Sequence, residues 1–316
     1  MASETKDGRK IQWGIFDWVE WDENSPSQIF EDRLKLLEYA DKQDFYCYHV
    51  AEHHTTPLSV APSPGMYLSA VAQRTSRIRI GPLVYLLPLY NPLRLIQEVC
   101  MLDHLSNGRL ELGVGRGIVP YEVARFGVDP EEGRAMFDDA LAVLLKGLQN
   151  ETLNHEGEFY NYKDIKFWIK PYQKPHPPIW VGGEGRRAIR RAAQLGDGWQ
   201  PLGNNNRFPT ATAEDLAVGI KRLDVELERA GRPAGSLEVT SRMLGYDLQK
   251  DGGTSRRNHM AFTGTADHIA SDIRQFQDLG VTNLVPSFHG VAGLAGSLDG
   301  MLRDMEDFAN EVIPRV

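Results

Sequence analysis

Cysteine is nearly missing: only Cys47 and Cys100 occur in the 316 residues. Two thiols cannot build a disulfide framework or a cysteine-rich metal site, and their scarcity points to a reducing compartment. Long apolar runs are missing as well. The longest, IGPLVYLLPLY, is short and broken by prolines, so no membrane span is expected. The N-terminal MASETKDGRK is polar and lacks the apolar stretch of a signal peptide, which predicts a cytoplasmic location. Positive charge is in deficit, with 35 Lys and Arg against 43 Asp and Glu and a net charge of −8. Such a surface repels phosphate backbones and anionic membranes, so nucleic acid is not an expected partner. No Gly-x-Gly-x-x-Gly follows the first strand candidate, where GIFDWVEW stands instead. A doubly wound dinucleotide-binding sheet thereby loses its main support.

What is present is alternation. Strand candidates at 11–17, 45–51, 77–84, 109–115, 178–182, 198–201, 237–246 and 282–288 are separated by amphipathic helices. Leu216, Ile220, Leu223 and Leu227 keep one apolar stripe, as do Leu302, Met305, Phe308 and Val312. Eight strands alternating with helices predict an α/β fold of (β/α)₈ TIM-barrel type, whose working residues sit at the C-terminal strand ends. Residues 118–134 and 151–177 do not fit the repeat and read as loop insertions, the second as a small hairpin. No internal repeat or low-complexity linker appears, so 1–316 is read as one domain.

Three stretches carry chemistry. Glu52, His53 and His54 follow the second strand directly, where a barrel builds its site; against this stands the bland reading of satisfied or solvated histidines. A metal set of His49, His53 and His54 beside Glu52 is disfavoured, because His49 lies about 13 Å back along an extended strand. In GRLELGVGRG, Gly113, Gly115 and Gly117 surround Arg116, so backbone could approach a ligand while a guanidinium reaches an anion. In PPIWVGGEGRRAIRR, a strand runs through Gly182, Gly183, Glu184 and Gly185 into a helix, whose bare N–H groups make a phosphate seat. The arginines of that helix, Arg186, Arg187, Arg190 and Arg191, also fit a solvated face.

In order and spacing, AEHHTTP, PLYNPLRLIQEVCMLDHLSNGRLELGVGRG, RFGVDPEEGR, PIWVGG and AAQLGDGW resemble the bacterial luciferase-like family of flavin monooxygenases over nearly the whole chain. The resemblance implies a barrel that binds reduced FMN, supplied by a separate NAD(P)H-dependent flavin reductase, and uses dioxygen to oxygenate a small organic substrate, an aldehyde or similar. It implies His53 as the catalytic imidazole, with Glu52 and His54 beside it, and Arg116 and Arg134 as phosphate ligands. The phosphate turn corresponds to Glu184, Gly185 and Ala188; luciferase has hydroxyl side chains at the last two places, so backbone N–H groups and Arg186 would substitute here. Gly115 stands where luciferase has a reactive cysteine, which disfavours light emission. A non-prolyl cis peptide is expected between Leu83 and Val84 beneath the flavin, and a mobile lid within 247–263. Dimers of the family pack through early helices, and Leu93, Leu95, Ile96, Val99, Cys100, Met101, Leu102 and Leu105 exceed one core-facing stripe, so a homodimer is expected. The alternatives are a deazaflavin-dependent oxidoreductase, a non-catalytic FMN-binding protein and a metal-dependent barrel hydrolase.

Overall fold

The computed structural model describes residues 11–203, 210–249, 261–288 and 296–316. Eight staves follow one another round a ring. β1 (Gln12–Asp17) pairs with β2 (Cys47–Val50), and β2 with β3 (Arg79–Pro82). The third stave continues as β4 (Tyr85–Leu86) and pairs with β5 (Leu112–Gly115). Then come β8 (Ile179–Gly182), β9 (Gly198–Gln200), β10 (Glu238–Met243) and β13 (Asn283–Pro286), which returns to β1. Every one of these pairings is parallel. Between β3 and β5 the wall is joined by a single bridge, Ile80 to Leu110, where Ile80 N–H donates to Arg109 O and Glu111 N–H to Ile80 O, each at 2.9 Å.

All eight expected strands form, most of them shorter than their apolar runs, because a helix covers each stave from outside and only the inward glycines let neighbours close up. A Cβ on Gly81 would lie 2.1 Å from Glu111 O, and one on Gly113 2.2 Å from Pro82 O. The helices begin where side chains can cap them. Ser25 accepts from Gln28 N–H ahead of α1 (Pro26–Lys42), and Asn91 from Leu93 and Arg94 N–H ahead of α3 (Pro92–Leu105), each with proline in the first turn. α2 (Pro64–Arg74) lies between them; α5 (Gly133–Gln149), α6 (Arg186–Leu195), α7 (Ala213–Arg229), α8 (Ala266–Asp278) and α9 (Leu298–Asp307) complete the outer layer.

Insertions fall where expected. Residues 118–134 hold the short α4 (Pro120–Arg125), and 151–177 hold an antiparallel hairpin, β6 (Thr152–Glu156) with β7 (Asn161–Lys166). Of the expected lid, Asp247–Leu248 and Thr263–Gly264 pair as β11 and β12, while 250–260 lie outside the described residues. The inner core is Phe16, Cys47, Ala51, Leu83, Trp180 and Val285, with Trp18, Tyr46 and Val84 against it.

Candidate active site

The loop after β2 brings the two histidines to the barrel mouth and gives each a carboxylate. His54 Nε2 lies 2.7 Å from Glu52 Oε1, and its ring meets Phe126 edge-on at 4.6 Å. Glu52 is fully buried, and burial lifts its carboxyl above the usual range although His54, Leu86 N–H at 3.0 Å and Tyr90 bond it. His53 has a different partner. Its Nδ1 lies 3.1 and 3.3 Å from the two oxygens of Glu122, which also accepts from His54 N–H at 3.3 Å. Glu122 comes from α4, in the insertion, and is buried. A carboxylate there accepts, so Nδ1 carries the proton and Nε2, which has no hydrogen-bond partner among the described residues, keeps its lone pair. Arg125 of the same helix donates to Thr55 O at 3.1 Å, and Thr55 is held at φ 54°, a left-handed conformation uncommon for a β-branched residue. Sequence reading missed Glu122; its only signal was an acid between Tyr121 and Val123 on a short Pro-led helix.

A second cluster is cationic. Arg116, just past β5, and Arg134, in the first turn of α5, are exposed, and neither has an ion pair or hydrogen bond among the described residues. Burial of part of the Arg116 guanidinium, then the charges of Arg134 and Arg191, hold its pKa below the ordinary value. Arg191 is balanced by Asp138, to which NH2 donates at 2.8 Å, and lies over the Phe137 ring. A cavity of about 30 Å³ opens here between Arg116, Gly117, Pro120, Val123 and Gly133. α6 begins nearby at Gly185 with no side-chain cap, and its first backbone bond is Ile189 N–H to Gly185 O, so the N–H groups of Arg186, Arg187 and Ala188 remain open.

Two details of this turn and one of β5 bear on the expected seat. Gly183 N–H is spent on Gln200 O at 2.9 Å. Glu184 turns its carboxylate to Gly203 N–H (2.8 Å) and the Thr210 hydroxyl (3.1 Å), holding the loop after β9 instead of facing an anion. The glycines of β5 make room for the chain itself: a Cβ on Gly115 would sit 2.4 Å from Val84, which also limits Gly182. The peptide between Leu83 and Val84 is cis, as expected; Val84 lies on Gly115 and Gly182 as a floor.

His49 does not join the other histidines. Its Nε2 lies 2.7 Å from Glu111 inside the barrel, and Arg79 holds the other oxygen of Glu111 at 2.8 Å; despite burial, these contacts keep Glu111 below the usual carboxylate range. Cys47, His49 and Glu111 are the one group among the described residues with ligand atoms close enough for a metal, but Arg79 already balances Glu111 there. At the end of β1, Asp17 takes Arg33 (3.1 Å) and the Tyr48 hydroxyl (3.0 Å), with Glu20 beside them pushed up to about 7 by burial and by Asp17.

The residues present fit a flavin mononucleotide: two unbalanced guanidiniums and an uncapped helix for a phosphate, an apolar floor for the ring, and an imidazole at the mouth. Comparison with known proteins agrees. A family model described as luciferase-like monooxygenase matches residues 12–245. Limonene 1,2-monooxygenase of Rhodococcus erythropolis is 31% identical over 235 residues, 71% of this chain and 60% of its own length. The monooxygenase RslO1 of Streptomyces bottropensis superposes with a TM-score of 0.83 at 24% identity, covering 96% of this chain and 99% of its own. The oxygenating constituent of 3,6-diketocamphane monooxygenase of Pseudomonas putida, solved in complex with FMN, gives 0.78 at 17% identity, covering 100% and 99%. The chain spans about half to three fifths of the length of the curated relatives it matches.

Proposed function

The chain belongs to the luciferase-like monooxygenase family, and we propose that it is the oxygenase of a two-component system: a single barrel domain that takes reduced FMN from a separate NAD(P)H-dependent reductase and uses dioxygen to oxygenate a small organic substrate. The observation that carries this reading is the pairing of an anion seat, Arg116 and Arg134, without counter-ions among the described residues, with an imidazole whose Nδ1 is fixed by Glu122.

Bound reduced flavin supplies the activation of dioxygen, a chemistry no side chain offers. The chain's part is to hold it and manage protons. Arg116, Arg134 and the open N–H groups of Arg186, Arg187 and Ala188 bind the phosphate; Gly185 leaves the helix end uncovered. Gly182 and Gly115 let Val84 rise against the ring, and Leu83 supports it from the core. His53 takes up and returns a proton at Nε2, with Glu122 stabilising the imidazolium while the proton is held. Glu52 orients His54, and the pair shapes the loop.

α2 and α3 expose Met66 (78%), Met101 (53%) and Leu105 (42%), while Leu95, Ile96, Val99, Cys100 and Leu102 face the core. That outer apolar face supports a two-fold homodimer. Trp168, fully exposed beyond the hairpin, is not explained by the structure. No helix among the described residues is long and apolar enough to cross a membrane.

The test is rapid mixing of the protein, loaded with FMN and reduced, with oxygenated buffer, followed by isotope-labelled dioxygen and a substrate panel. Consumption of dioxygen with label in product is expected. A reduced protein inert to dioxygen that passes hydride from a deazaflavin would overturn the reading.

A further inference from the structure

The flavin floor occupies one side of the barrel mouth: Val84 ahead of β4, Gly115 on β5 and Gly182 on β8. The opposite arc, β10, β13 and β1, carries a cation that this floor does not use. Arg242 on β10 pairs in register with Val285, an inner-core residue, so its side chain points inward. It lies over the Phe16 ring at 4.8 Å, with Trp18 edge-on to Phe16 at 4.9 Å. Its guanidinium donates to Leu202 O, and Glu184 is the charge that acts on it. Even so its Nε has no hydrogen-bond partner among the described residues, and its pKa falls to about 10 through burial. Arg242 is half-buried as a residue, with its Nε covered, and its stave ends at the barrel mouth.

Two neighbours share its condition. Gln200 ends β9 at the mouth, and the β9–β10 register sets Thr240 beside it; both are buried, and Gln200 Nε2 and Thr240 Oγ1 also lack partners among the described residues. Buried donors left unmet are costly, and Gln200 Nε2 and Thr240 Oγ1, on adjacent strands beside the unshared Nε of Arg242, make an acceptor-hungry wall. The Phe16 and Trp18 rings give the same space an apolar side.

We propose that the substrate carries a carboxylate, or an equivalent oxyanion, that docks on Arg242 with Gln200 as its neutral hydrogen-bonding neighbour. This rests on the flavin-oxygenase reading only for which half of the mouth is free; the guanidinium and its neighbours stand without it. Placed so, the anion is held across the ring floor from the phosphate seat, and the apolar body of the substrate lies along Phe16 and Trp18 towards the flavin.

Matched probe pairs test this: benzoate against benzamide, and hexanoate against hexanamide, titrated calorimetrically into the FMN-loaded protein. Each acid should bind about tenfold to a hundredfold more tightly than its amide, the range of a charge-assisted bond. Arg242→Met should erase that preference and Arg242→Lys keep part of it, while FMN affinity, measured separately on each variant, stays unchanged. Should Arg242→Met not fold, Gln200→Glu sets a like charge at the seat and should reverse the preference with the amides still bound. Equal binding of acid and amide, no acid bound at millimolar concentration, or a preference surviving in Arg242→Met would overturn the proposal. So would an Arg242→Met protein that loses FMN instead, since the guanidinium would then serve the flavin ring. A wild type that binds acids selectively but no FMN would refute the oxygenase reading and leave the carboxylate seat standing.

Discussion

Replacing Arg134 by methionine should push two measurements in opposite directions. Without ligand, Arg134 is a cation with no partner among the described residues that lowers the pKa of Arg116, itself without one. Methionine keeps the aliphatic stem and removes the repulsion. Both side chains are exposed, so the relief is that of a screened surface pair, ~0.2–1 kcal/mol, weakening further as salt shortens the range of the field below ~8 Å. The melting temperature of the flavin-free protein should therefore rise by about one or two degrees at low ionic strength. FMN should respond the other way. A charge-assisted hydrogen bond to phosphate is worth ~1.5–3 kcal/mol, so affinity should fall about tenfold to a hundredfold, with riboflavin, which has no phosphate, unaffected. Thermal scans at two salt concentrations and fluorescence titrations with both flavins read every term. A melting temperature that drops together with affinity, or equal losses for FMN and riboflavin, would mean that Arg134 supports the fold and that the anion-seat argument is wrong.

Other outcomes follow from named contacts. His53→Ala should lower product formation ~10²–10⁴-fold with FMN affinity kept, added imidazole restoring part of it; Glu122→Gln should give a smaller loss that imidazole does not repair. A packing histidine would instead lower the melting temperature and leave turnover per folded molecule intact. Gly113→Ala, whose Cβ would lie 2.2 Å from Pro82 O, should cost ~1–3 kcal/mol in urea unfolding, whereas Gly231→Ala, with open space but φ 73°, should cost no more than its backbone strain. Glu20 rises from 4.5 to about 7, so over that window the native carboxyl holds a proton that the unfolded chain releases. The stability gap between wild type and Glu20→Gln should accordingly shift against wild type as pH climbs through it, and a gap independent of pH would show that Glu20 does not titrate there.

The barrel was legible because parallel strands covered on both faces leave continuous apolar runs, and the caps Ser25, Asn91, Thr212 and Ser297 mark helix starts. The ends of runs were less legible: 237–246 shrinks to Glu238–Met243, since pairing to β9 and β13, not hydrophobicity, sets where a stave stops. Glu52, His53 and His54 were visible as neighbours in the chain. Glu122 was not, because it meets His53 across 69 positions, a distance no local pattern spans. The β5 glycines were visible, but glycine shows only that something comes close, and the fold shows that Val84 and Pro82 do. The partners of the Glu184 carboxylate, Gly203 and Thr210, were equally out of the motif's reach.

The insertion of residues 118–134 has a bearing on redesign. Barrel loops are commonly treated as exchangeable cassettes, grafted between scaffolds to move selectivity while the staves stay constant. Here one cassette carries Glu122 for His53, Arg125 for Thr55 and Arg134 beside Arg116. If the proposed roles hold, a graft of that segment would alter proton handling, loop shape and phosphate affinity in a single stroke, so a lost activity could not be assigned to any of them. Libraries aimed at new substrates would be better placed on Gln200, Thr240 and Arg242, which lie on staves outside that cassette.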